Sequence, residues 1–150
     1  MIGLSFRTIN DNEFHHGLNK LASFTGFAPK DAYHVGRIAD LIGQHTRQAR
    51  IEYGKLIEKY AAKDELGKPI TTQAPPFFQM KEGTTEADWN KDYNSFLEIT
   101  VEVAKNKIPL SSLPTNVGLS AKELKALEAL IDAEEEEPSN VIPMTPPTKQ

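Results

Sequence analysis

The chain contains no cysteine. That absence removes disulfide staples, thiolate nucleophiles and cysteine-liganded zinc, and it fits synthesis in a reducing cytoplasm. Long apolar runs are missing too: no window approaches the roughly 18 apolar residues that mark a membrane-crossing helix. The start, M-I-G-L-S-F-R-T, lacks a basic region leading into an apolar stretch and a small-residue cleavage site. Neither membrane insertion nor secretion by the usual route is expected. Basic charge is scarce, with 17 Lys and Arg against 21 Asp and Glu and a net charge of −4. A chain of that balance has no general attraction to nucleic acid. Hydrophobic residues make up 39% of the sequence and the mean hydropathy is −0.46, low for a self-contained enzyme. Part of the chain is therefore expected to pack on a partner.

At 150 residues the length suits one domain, which typically buries about 70% of the surface exposed by the unfolded chain. The expected fold is α+β and mainly helical: a long central helix packed with two or three shorter helices and a small antiparallel sheet, followed by an extended C-terminal arm. The domain is placed at residues 1–132 and the arm at 133–150.

Residues 2–9 put Ile2, Leu4 and Phe6 on one face and Ser5 and Arg7 on the other, the period of a strand. Asn10 or Asp11 then caps a short helix carrying Phe14, Leu18 and Leu21 to about Phe24, where Thr25-Gly26 breaks it. Pro29 suits a helix first turn. From Lys30 to about Ala62 the series Val35, Ile38, Ile42, His45, Ala49, Tyr53, Leu56, Tyr60 advances by three or four residues and forms one stripe. A helix of about thirty residues is near 45 Å long, so it should lie along another helix or project towards a neighbour. Gly67, Pro69, Pro75, Pro76 and Gly83 punctuate Lys63–Thr85, a loop long enough to suggest function or partner binding. P-I-T-T and F-F-Q-M inside it suit a small hairpin, and Phe77 and Phe78 should not both face solvent.

Thr85 opens a helix whose buried side is Trp89, Tyr93, Phe96 and Leu97. Ile99, Val101 and Val103 alternate with polar residues in a strand that pairs most economically with the N-terminal one. Pro109 and Pro114 bracket an extended connection. Ser120 and Glu123 then form a capping box for a last helix to Asp132, with Leu124, Leu127, Leu130 and Ile131 as its core face. The remaining E-E-E-E-P-S-N-V-I-P-M-T-P-P-T-K-Q holds four prolines and cannot supply a core; disorder on its own and ordering against a partner are expected. Within it Val141, Ile142 and Met144 are the apolar positions available for a contact.

Chemistry is sparse. His34, His45 and Glu52 share an azimuth on the long helix, but whole-turn offsets of 11 and 7 residues separate them too far to hold one ion. His15 and His16 are adjacent and point about 100° apart. His45 reads as a hydrogen-bonded interface histidine. Gly36, Gly43 and Gly54 fall on one face and each costs roughly 1 kcal/mol against alanine, which suggests another helix approaching closely or a tolerated bend. Arg37, Arg47 and Arg50 interleave with Asp40, Glu52 and Glu58 as a solvated mixed-charge face. Glu98 and Glu102 imitate an acid–base pair, but nothing nearby would raise one pKa selectively. No enzymatic activity, cofactor or metal is expected. Phe77, Phe78, His45, Gly36, Gly43, Val141, Ile142 and Met144 form the candidate interface.

Three segments carry a resemblance: R-I-E-Y-G-K-L-I-E-K-Y-A-A-K-D-E-L-G-K, then Y-N-S-F-L-E-I-T-V-E-V-A-K-N-K-I-P-L-S-S-L, then L-S-A-K-E-L-K-A-L-E-A-L-I-D. Together, over roughly Arg50 to Asp132, they resemble an uncharacterised family of small proteins encoded by tailed bacteriophages. The resemblance implies synthesis in a bacterial host cytoplasm and residence in a virion, as an accessory structural protein of capsid, neck or tail. Its partners would be copies of itself and other phage structural proteins, without nucleic acid or membrane. The alternatives are an assembly chaperone absent from the mature particle and a small phage inhibitor of a host protein.

Overall fold

The computed structural model describes residues 1–133 as a mainly helical α+β fold. Strand β1 (Ile2–Ser5) pairs antiparallel with β2 (Thr100–Ala104), with Leu4 opposite Val101 and Ser5 opposite Thr100. The strand predicted to run to residue 9 stops at Ser5, whose side chain accepts from the Thr8 amide and caps the single-turn helix α1 (Phe6–Ile9). The period-2 pattern covers Ile2, Leu4 and Phe6. Ile9 leaves that pattern and lies three residues from Phe6, so one helical turn buries both.

Helix α2 (Asn12–Ser23) starts at Asp11, whose carboxylate accepts from the Phe14 amide at 3.0 Å. Helix α3 (Pro29–Tyr60) has Pro29 in its first turn and spans 32 residues, about 48 Å. Its stripe is buried at Val35, Ile38, Ile42, Ala49 and Tyr60, and half-buried at His45, Tyr53 and Leu56. The helix neither pairs along one other helix nor projects freely. It is a spine that packs on α2 and β2 and then on α4 (Glu86–Leu97), which Thr85 caps.

Two cores lie along this spine. The larger joins Phe6, Ile9, Phe14, Leu21, Ile42 and Leu127 with neighbours from every other element except the loop after α3. The smaller contains Tyr60, Ala61, Phe78 and Trp89. The expected hairpin is present in that loop: Thr71 bridges Phe78, and the Thr72 amide donates to the Phe77 carbonyl at 3.0 Å. Three backbone segments close a ring of bonds there, Ile70 N–H to Ala62 O, Gln79 N–H to Ile70 O and Ala62 N–H to Gln79 O. These bonds tie the long loop together.

The last helix is shorter than its periodicity suggests. The Ser120–Glu123 capping box is formed, but α5 covers only Ala121–Ala126. A 3₁₀ turn over Glu128–Leu130 follows, then β4 (Ile131–Asp132), parallel to β3 (Ile108–Pro109). The tighter turn aligns Leu127 and Leu130 three residues apart, and both are fully buried. Leu124, expected in the core face, is 38% exposed.

Candidate functional site

The smaller core is an aromatic cluster built on α4. Trp89 stacks on Tyr93, with centroids 5.2 Å apart and planes 9° from parallel, and meets Phe78 and Tyr60 edge-on at 4.9 and 5.5 Å. Offset stacks and edge contacts of this kind add to the area they bury. Asp92, one turn along α4, ties the cluster to α3: its Oδ2 accepts from the Tyr60 hydroxyl at 2.6 Å and from the Lys59 ammonium at 3.0 Å. The Tyr60 hydrogen bond, and after it Lys59, holds the Asp92 carboxyl below the usual carboxylate range. The same bond, with burial second, pushes the Tyr60 phenol up. These shifts favour a static array with Asp92 ionised and Tyr60 protonated. They do not poise a proton for transfer near neutral pH.

The loop lies over this cluster and separates the two adjacent phenylalanines. Phe78 is 5% exposed and seals the cluster, whereas Phe77 is 59% exposed. Phe77 has φ of 71°, in the left-handed region that costs an L-residue other than Gly, Asn or Asp about 1 kcal/mol or more. Beneath it is a slot of about 320 Å³ walled by Tyr53, Pro75, Pro76, Phe77, Trp89 and Tyr93.

A second concavity, of about 870 Å³, lies between the first half of α3 and the β2–β3 segment. Tyr33, Ile38, Leu41, Val103, Ala104 and Ile108 give it a mostly apolar lining. Two histidines fasten α3 beside it. The His34 Nε2–H donates to the Asn106 carbonyl at 3.2 Å and the His45 Nε2–H to the Glu102 carbonyl at 3.0 Å. Helix and strand run in opposite senses, so histidines three turns apart meet carbonyls four residues apart. Both side chains are structural clips, and no group of three potential metal ligands occurs among the described residues.

Of the expected interface residues, Phe77 lines the aromatic slot and Phe78 packs on Trp89 in the buried cluster, while His45 and Gly43 lie on the middle of α3 and Gly36 nearer its start. Among the described residues no helix lies against the glycine face. A Cβ at Gly36 or Gly54 would meet nothing within 4 Å, and one at Gly43 would meet only the Arg47 side chain at 3.8 Å. The close approach occurs instead at Gly17 in α2, where a Cβ would fall 2.7 Å from Leu127 Cδ1. Sequence reasoning missed it because Gly17 stands alone and only the apolar residues flanking it, Phe14, Leu18 and Leu21, hinted at a buried face. Val141, Ile142 and Met144 lie outside the described residues. Glu98 pairs with Arg7 at 3.3 Å on the surface.

No protein-family model, curated protein or solved structure matches the chain. What it does must be inferred from its surfaces.

Proposed function

We propose that this protein is an accessory structural component of a tailed-phage particle, acting through contacts with copies of itself and with other particle proteins. The observation that supports this most is Phe77. A large aromatic side chain is held outward, on a strained backbone, by a loop tied together by backbone bonds. An apolar anchor beside an aromatic slot suits a protein–protein contact, where buried aromatic residues dominate binding energy. The phage setting comes from the resemblance over Arg50 to Asp132.

Quantitative mass spectrometry of purified particles tests the proposal. The expected result is a fixed copy number relative to the major capsid protein. Absence from washed particles, with the protein abundant in infected lysate, would refute the structural role and favour an assembly chaperone or an inhibitor of a host protein.

A further inference from the structure

We propose that the segment Val141-Ile142-Pro143-Met144 folds back into the groove between α3 and β2 of its own chain. The first support is where the described chain ends. Asp132 pairs with Pro109, and Pro109 and Ile108 both line the groove, so Ala133 stands at its rim. The second is reach. Eight residues, Ala133 to Asn140, precede Val141 and can extend about 27 Å. The lining stretch of α3, Lys30 to Leu41, is only about 17 Å long.

Composition selects the segment. Among residues 134–150, V-I-P-M is the one apolar run, and the groove carries a mostly apolar lining with Tyr33 68% exposed at its edge. Charge selects the approach. Lys30, Arg37 and Lys105 line the groove against Asp31 and Glu102. None of the three cations forms an ion pair with a described carboxylate. The run Glu134–Glu137 follows Ala133 directly in sequence and carries the negative charge that would complement them. A short tether gives an effective concentration of order mM, so a weak contact suffices to populate the docked state in cis. Proline at position 143 lowers the ordering cost of an extended segment.

The native chain has no cysteine, so an introduced pair reports the contact without background. In the full chain, Ser112→Cys with Ile142→Cys places one thiol in the groove lining and one in the segment. Glu128→Cys with Ile142→Cys is the control, since Glu128 is exposed, lies outside the groove lining and is joined to Ile142 by a short stretch of chain, within reach of an undocked segment. Under dilute oxidation the groove pair should close an intrachain disulfide at least about tenfold faster than the control, the advantage expected of a preferred docked geometry. Equal rates would overturn the docking. Interchain disulfides as the main product would overturn the intramolecular form and assign the groove to a second copy. Ile142→Asp in the cysteine-free chain is an independent measurement: the amide resonances of Tyr33, Val103 and Lys105 should move, and unchanged resonances would overturn the proposal.

Discussion

Gly17 and Gly43 are both helical glycines, yet alanine should move stability in opposite directions at the two sites. In a helix interior alanine is favoured over glycine by about 1 kcal/mol, through backbone entropy. At Gly43 an added Cβ meets only a surface arginine at ordinary contact distance, so most of that gain should be realised. At Gly17 the new carbon would lie 2.7 Å from Leu127 Cδ1, 3.2 Å from its Cγ and 3.3 Å from Glu123 Cβ. Leu127 is fully buried and cannot swing into solvent, so α2 and α5 must separate or the leucine must leave its rotamer. Overpacking of this kind costs about 1–3 kcal/mol. After subtracting the helix gain, Gly17→Ala should destabilise by roughly 1 kcal/mol, within a range of about 0 to 2. The two variants should therefore differ by about 2 kcal/mol, with melting temperatures displaced to either side of the parent by about 2–4 °C per kcal/mol. Urea and thermal unfolding followed by circular dichroism would measure this. If Gly17→Ala stabilises as much as Gly43→Ala, the close packing of α2 on α5 is wrong.

Phe77→Gly should keep or raise thermal stability, because glycine adopts φ of 71° without strain, while weakening incorporation into particles; a loss of fold with unchanged incorporation would contradict the anchor role. Ile42→Asp puts a carboxylate into the larger core and should abolish cooperative unfolding. His45→Leu removes one bond, to the backbone carbonyl of the exposed residue Glu102, and should change stability by no more than about 1 kcal/mol, with both variants compared by denaturant titration. The Lys20 ammonium, and after it the Ser120 amide, holds the Glu123 carboxyl below its ordinary value. Its contribution to stability is present above the unfolded-state pKa and is lost as pH falls through the lower folded-state value. Lys20→Met should flatten this part of the acid-unfolding profile, and an unaltered profile would show that the pair carries none of it.

Local signals were strong enough for the sequence alone to place most helices. Proline at the start of α3, the hydroxyl and carboxylate caps at Asp11, Thr85 and Ser120, and the three-to-four-residue apolar stripe act within one or two turns. Pairing of the N-terminal strand with the Thr100–Ala104 strand was legible as well, since each shows one apolar face that needs covering. The burial of Trp89 and of one phenylalanine from Phe77-Phe78 followed from side-chain size.

Tertiary structure alone decided the rest, because each remaining choice depends on what a residue meets from far along the chain. The helical periodicity of Leu124, Leu127, Leu130 and Ile131 runs on past Ala126, but pairing of Ile131 with Ile108 and full burial of Leu127 and Leu130 convert its second half into a 3₁₀ turn and a strand. Three glycines on one face of α3 looked like a helix contact and have none among the described residues, while a single glycine in α2 has one. His34 and His45 share an azimuth in the sequence, but only the antiparallel run of β2 beside α3 makes them clips on Asn106 and Glu102. Which of two adjacent phenylalanines faces outward was settled by the positive φ of Phe77, in the turn where its N–H donates to the Ala74 carbonyl and its own carbonyl accepts from the Thr72 amide.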